Sequence, residues 1–516
     1  MVVFMYIVQI ATELAPIAKV GGLGDVLHGL SKELVKLGHK VEIILPKYDS
    51  IDFSQCQNLK ILQRDLITQE GKDPIHNTIW TLQTDGLTLY LIEPHHPTYY
   101  FSRGKIYGCP DDVERFCYFS KAALEFLYQT KRAPDVIHLH DWPTAIVAVL
   151  YKEMYKPLRF LAKGTLLTIH NLEHQGKCTL QQLSKLGLKS EKYLSQDKMQ
   201  DPTFLHMLNL LKGGIYYADA LSCVSPNYEK EIKTKEGGCG LHMMIQRHAK
   251  KMTGILNGID ETHWNPEKDP HLLKRYPGHH IETKEKLQKI LEAKAENRQH
   301  LRKHFGLQES KAPLVVSITR LVEQKGPKLI KEGIKRVVEK DGQFLLLGSV
   351  PTKEIAKEFQ DLAKALEPTK NFALFLDHDE ALAHQLFAAA DMLLIPSLFE
   401  PCGLTQLIAL RYGTIPIARK TGGLADTVFD ADDESVPLSL RNGFTFQFPD
   451  TQGVHWAVDR ALDCFMKHPK RWQEMMQHGM NQDFSWAHAA PLYVKKYTEI
   501  VEQTPSFQER VRAFLM

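Results

Sequence analysis

Three stretches of this chain bring together residue types that suit phosphate and sugar chemistry. KVGGLGD (19–25) sets Gly21 and Gly22 at a strand-to-helix turn, with Lys19 before them and Asp25 in the first helical turn. Glycines there let a backbone approach a ligand closely, and a helix N-terminus attracts an anion. Taken alone, the glycines read as an ordinary tight turn. The dinucleotide fingerprint GxGxxG fails at Leu27, and no GxxxxGK occurs. Lys19 adds a reason for phosphate or sugar phosphate. ITRLVEQKGPKLI (318–330) places Arg320 just past a strand and Lys325 before a helix that opens on Pro327. Two cations beside a helix N-terminus read as a diphosphate clamp more readily than as solvated charge. PSLFEPCGLTQLIAL (396–410) repeats that geometry, with Glu400 in the loop and Gly403, Leu404 and Thr405 opening a helix. Their amides suit a second phosphate, and Glu400 suits sugar hydroxyls.

VIHLHDWPTA (136–145) ends a strand in His138, His140 and Asp141, and TIHNLEHQG (168–176) ends another in His170 and Asn171. An HxHD metal site needs further ligands at other strand ends, with His170 one candidate. The alternative is a cleft lining at the carboxyl edge of an open sheet, where α/β folds bind ligands. The cleft lining is the expected reading, with no metal.

These turns need strands and helices to hold them. Apolar, β-branched runs recur at 4–10, 40–45, 135–139, 165–169 and 220–224, then at 314–319, 343–348, 372–376, 392–396 and 414–418. Runs without alternation suit strands buried on both faces, as in parallel sheets covered by helices. Leu23, Val26, Leu27, Leu30, Leu34 and Leu37 fall on one helical face before Gly38, giving a βαβ unit. Ten such strands in two groups predict two doubly wound domains. Residues 266–312 are polar and helical, so the first boundary is expected near Thr253. KVGGLGD is echoed in the second half as KTGGLAD (420–426).

Composition bounds the rest. The 516 residues carry 64 Lys+Arg against 61 Asp+Glu, a net charge of +3, with 43% hydrophobic and 24% charged residues. That balance gives no overall attraction to nucleic acid or an anionic membrane. Eight scattered cysteines with no CxxC pair resemble neither a disulfide framework nor a zinc signature, so a reducing cytosol is expected. MVVFMYIVQIATE lacks the basic leader and cleavage site of a signal peptide, and no run of about 18 apolar residues predicts a membrane helix.

Ten motifs follow in an order that resembles one family: KVGGLGDV, LPKYD (45–49), HDWPTA, TIHNLEHQG, LKGGIYYAD (211–219), VSPNYEKEI (224–232), GILNGID (254–260), WNP (264–266), TRLVEQKG and FEPCGLTQ. The resemblance, over roughly residues 5–490, is to the bacterial-type glycogen synthases, or starch synthases, of glycosyltransferase family 5. It implies an α/β GT-B fold, two Rossmann-like domains facing across a deep cleft. Residues 1–253 would form the acceptor-side domain, with a closing helix 492–516 packed back onto it, and 254–491 the nucleotide-sugar domain. The implied activity is retaining transfer of glucose from ADP-glucose to the non-reducing end of an α-1,4-glucan such as glycogen. No cofactor or metal is implied, and the implied place is the cytoplasm. By the same resemblance Lys19 and Gly22 would meet the donor phosphates, with Asp25 supporting their loop. Asp141 would lie near a sugar, His170 at the glucosyl unit and Asn257 on the sugar side. Arg320 and Lys325 would stabilise the leaving ADP, Glu400 would hold glucose hydroxyls, and Gly403, Leu404 and Thr405 would bind phosphate. Two departures stand out: Pro143 where the family usually has His, and His378 where an aromatic commonly stacks on the nucleobase. A silent glucan-binding protein, or a related transferase using UDP-glucose or another acceptor, are the rival readings.

Overall fold

The apolar runs of the first half form a nine-stranded sheet, and those of the second half a six-stranded one. The computed structural model describes residues 4–54, 56–158 and 162–503. The chain divides into two units, one of residues 1–258 with 486–516 and one of residues 259–485.

The strands of the first unit are β1 (Tyr6–Ile10), β2 (Lys40–Pro46), β3 (Gln57–Glu70), β4 (Asp73–Thr84), β5 (Leu87–Pro94), β6 (Val136–His140), β7 (Gly164–Ile169), β8 (Lys177–Cys178), β9 (Leu208–Asn209), β10 (Ala220–Cys223) and β11 (Met252–Gly254). In the large sheet they run β11-β10-β7-β6-β1-β2-β5-β4-β3. From β11 to β5 every pair is parallel; β4 and β3 extend the edge antiparallel. The second unit holds β12 (Leu314–Arg320), β13 (Gln343–Ser349), β14 (Phe372–Phe375), β15 (Met392–Ile395), β16 (Ile415–Arg419) and β17 (Phe444–Phe446), ordered β14-β13-β12-β15-β16-β17 and parallel throughout.

Strand order therefore reverses between β1 and β6 in the first unit, and between β12 and β15 in the second. Each reversal is a topological switch point, outside whose carboxyl edge open α/β sheets bind ligands. β1, β6 and β7 are buried along nearly their whole length, as their unbroken apolar runs require.

Two boundaries differ from the sequence reading. The first unit runs to Gly258 rather than Thr253, because β11 pairs with β10 and Ile255 joins the first unit's core. The closing helix starts at Trp486 rather than 492 and runs through Pro491 to Glu502. Trp486, Ala489, Ala490, Tyr493 and Tyr497 bury their side chains in the first unit's core, which holds the helix despite the internal proline. Residues 504–516 of the expected helix lie outside the described residues. No described helix is long and apolar enough to cross a membrane.

Candidate active site

At the first switch point the loop after β1 is organised by Glu13. Its Oε2 accepts the backbone amides of Val20 (2.7 Å) and Gly21 (2.8 Å), and the Tyr107 hydroxyl donates to Oε1 at 2.9 Å. A 4%-exposed carboxylate is tolerable only with such donors. Gly21 is the extended N-cap of the helix Gly22–Lys36. Its amide is committed to Glu13, so its contribution to the loop is shape rather than a donor. Lys19 is exposed and pairs with Asp25 at 2.8 Å, fixing the cation over the start of that helix.

After β6, Asp141 opens the helix Asp141–Leu150 with φ +57°, a left-handed conformation that aspartate tolerates better than most residues. Its Oδ1 accepts the amides of His170 (2.6 Å) and Asn171 (3.2 Å), tying the end of β7 to the end of β6. Burial pushes the Asp141 carboxyl up to about 7, with Glu13 adding to the rise and the two amides opposing it. Asn171 uses its own side-chain oxygen to accept the Glu173 amide.

The histidines form a relay. Gln9 Nε2 donates to Ser31 Oγ, which leaves Gln9 Oε1 facing His140 Nε2 at 2.8 Å. His140 Nε2 is then the donor and its Nδ1 the acceptor, so His170 Nε2–H donates to His140 Nδ1 at 3.0 Å. The nitrogen of His170 left with a lone pair is Nδ1. Burial holds His170 down to about 3 and His140 well below the usual imidazole range, so both stay neutral. His138 lies apart from this relay. Its nitrogens meet Tyr497 Oη at 2.8 Å and Thr168 Oγ1 at 2.6 Å, and it locks the closing helix to the sheet. The HLHD stretch is thus a hydrogen-bonded relay and a helix lock. Asn257 is buried, and its Oδ1 meets no partner among the described residues.

At the second switch point Arg320 ends β12 exposed, with no ion pair for its guanidinium among the described residues. Lys325 follows in a short turn and reaches the Glu400 carboxylate, which also accepts from Ser397 Oγ at 3.0 Å. Gly326 (φ +66°) caps the helix Pro327–Glu339, and a Cβ there would lie 2.5 Å from the Pro396 carbonyl oxygen. Only glycine lets the Lys325 turn sit this close to the loop after β15 that carries Glu400. Gly403 (φ +73°) and Leu404 lead into the helix Thr405–Arg411. The echo KTGGLAD lies in the same unit, where a Cβ on Gly422 would meet the Glu400 carbonyl at 1.9 Å. Its glycines make room for the Glu400 loop. His378 sits in the exposed turn after β14, its amide on Asp377.

Within each unit, then, the structure gathers the sequence-derived residues at one carboxyl edge. Glu13 was missed. Nothing in the sequence marks it as different from any other acid; only the amides of Val20 and Gly21 reveal its role.

Residues 6–247 match the model of the starch synthase catalytic domain, and residues 284–478 that of glycosyl transferases group 1. The chain is 47% identical to a glycogen synthase of Protochlamydia amoebophila, covering 96% of this chain and 99% of that protein. It is 45% identical to a probable starch synthase 4 of Arabidopsis thaliana, spanning about half of that longer protein (48%) and 98% of itself. Among solved structures, the catalytic domain of starch synthase IV from Arabidopsis thaliana, bound to ADP and acarbose, superposes with a TM-score of 0.90 at 45% identity over 97% of this chain and 100% of that one. A sucrose-phosphate synthase of Thermosynechococcus elongatus, at 18% identity and TM-score 0.60 over 96% and 99% of the two chains, shares the fold alone. With two switch-point sites on a GT-B fold, and 45–47% identity over nearly its whole length to glycogen and starch synthases, the chain belongs to the glycogen synthase (starch synthase) family of glycosyltransferases.

Proposed function

We propose that this protein elongates an α-1,4-glucan of the glycogen type, moving glucose from ADP-glucose to the non-reducing end with retention, in the cytoplasm. The observation that carries the reading is the Arg320, Lys325 and Glu400 arrangement at the second switch point, in a chain that superposes along its length on a starch synthase catalytic domain bound to ADP and acarbose. The nucleotide-sugar role falls to residues 259–485 and the acceptor role to the first unit.

The C1–O bond to the diphosphate breaks and its electron pair leaves with ADP. Arg320 and Lys325 oppose the growing negative charge, an effect strongest in the transition state. Glu400, already held by Lys325 and Ser397, accepts from glucose hydroxyls. Gly403, Leu404 and Thr405 offer amides to phosphate; in the first unit, phosphate contact is assigned to Lys19 and Gly22, with Asp25 steadying Lys19. His170, neutral, accepts a glucose hydroxyl at Nδ1, and the buried Asn257 oxygen takes a sugar donor. The acceptor hydroxyl attacks from the face the diphosphate leaves and gives its proton to a phosphate oxygen. Asp141 and Glu400 are both engaged, on amides and on Lys325, which supports this front-face route over a carboxylate nucleophile.

The test is turnover of ADP-glucose and UDP-glucose with glycogen. ADP release matched by glucan growth, faster than with UDP-glucose, is expected. Glycogen binding without donor turnover would establish the silent binding protein instead.

A further inference from the structure

We propose that the second unit carries a zinc site formed by His263, Glu380 and His384, a role independent of the function proposed above. His384 and Glu380 lie one turn apart on the helix Glu380–Ala389, and His263 comes from the segment ahead of WNP. One nitrogen or oxygen from each of the three lies within 4.8 Å of the others.

His384 is 1% exposed, and its Nδ1 lies 2.7 Å from Asp269 Oδ2. A carboxylate only accepts, so Nδ1 carries the proton and Nε2 the lone pair. That Nε2 is buried and meets no hydrogen-bond partner among the described residues. Asp269 is itself fixed by the Tyr412 hydroxyl at 2.6 Å and the His271 amide at 2.9 Å. Trp264 stacks on the imidazole at 4.0 Å and 14°, setting its plane. A carboxylate that holds the far nitrogen of a histidine in one tautomer is the outer partner that zinc-binding imidazoles use. His263 Nε2 and Glu380 Oε1 already meet at 2.9 Å.

Two imidazoles and one carboxylate form a three-ligand zinc set, a water completing the tetrahedron. Donor atoms around tetrahedral zinc lie about 3.3 Å apart, given metal–ligand lengths near 2.0–2.1 Å. Reaching that spacing from within 4.8 Å asks for movements of about 1.5 Å, and His263 and Glu380 are both exposed. The ion replaces the His263–Glu380 contact, a surface interaction with little to lose. It ties the first turn of that helix to the segment leading to Trp264.

The test titrates Zn²⁺, then Co²⁺ as a visible probe, into the chelator-stripped full chain and into His263→Gln and Glu380→Gln. Both substitutions are exposed, and melting without metal confirms that the variants fold. Expected is one tight ion per wild-type chain with tetrahedral cobalt absorption and a zinc-dependent rise in Tm. Each variant should lose at least about 100-fold in affinity, since losing even an outer partner costs about 10–100-fold. Equal zinc binding by wild type and both variants, or no stoichiometric zinc on the wild type, overturns the site.

Discussion

Arg320 and Lys325 have the same charge and different surroundings, and their replacements should separate accordingly. Arg320 is exposed and unpaired among the described residues, so Arg320→Ala should leave Tm unchanged while kcat falls by about 100-fold or more, the scale of losing one preorganised donor. Lys325 pairs with a Glu400 that is 6% exposed. Lys325→Ala should lower kcat similarly and also lower Tm, because it strands a buried carboxylate. Adding Glu400→Gln should restore Tm but not turnover. Normal kcat in both single variants would refute the clamp. Asp141 provides a pH test. Its folded carboxyl sits near 7 against 3.8 unfolded, so the folded state holds the proton more tightly. Its stabilising effect is complete below about pH 4 and is lost as pH rises to 7. The depressed histidines His138, His140 and His170 act oppositely, losing stability as pH falls below 6.5. Asp141→Asn keeps the acceptor oxygen and removes the charge. Its Tm relative to wild type should therefore be higher at pH 8 than at pH 4.5, with the histidine effect common to both. A pH-independent difference would sink this account.

Most of the strands buried on both faces were legible as unbroken apolar runs, although β5 and the three-residue β17, also buried, were missed. All ten runs form parallel strands. β3 and β4 were missed because QNLKILQRDLITQE and its partner alternate, with β3 mostly exposed, so no apolar run marks them. The Asp85–Gly86 turn, both residues at positive φ, was the available hairpin signal. The closing helix was placed six residues late, since Pro491 reads as a start rather than an interior residue. Its docking is visible only in three dimensions. A Cβ on Gly29 would lie 2.0 Å from Trp486 Nε1, so the first helix keeps a flat place for the indole. Gly29→Ala should therefore destabilise the first unit by pushing Trp486 out, and Trp486→Ala should cost about 3–5 kcal/mol. The two losses should be far from additive, because once the indole is gone the alanine has nothing to strike. Calorimetric unfolding of the single and double variants measures this; additive losses would mean the helix is held elsewhere.

At the scale of the whole molecule, the two units differ in how they are made from the chain. The second is one continuous segment, 259–485, whereas the first needs two separated pieces. The second also owns a complete six-stranded sheet and a core of its own, from Ile259 through Met480. A continuous segment with a closed set of ladders has what independent folding requires. The proposed roles divide along the same line. Arg320, Lys325, Glu400 and the 403–405 amides are all in the second unit. Lys19, Asp141, His170 and Asn257 are all in the first. Residues 259–485 expressed alone should therefore fold, with a single cooperative melt that rises when ADP is added, since ligand binding to the native form raises Tm. The fragment should transfer no glucose to glycogen, because the groups that meet the glucosyl unit and the acceptor are missing. In the full chain, Lys19→Ala should weaken donor use although it lies about 300 residues from Arg320. A fragment that elongated glycogen would show that one switch point suffices and would remove the first unit from the chemistry.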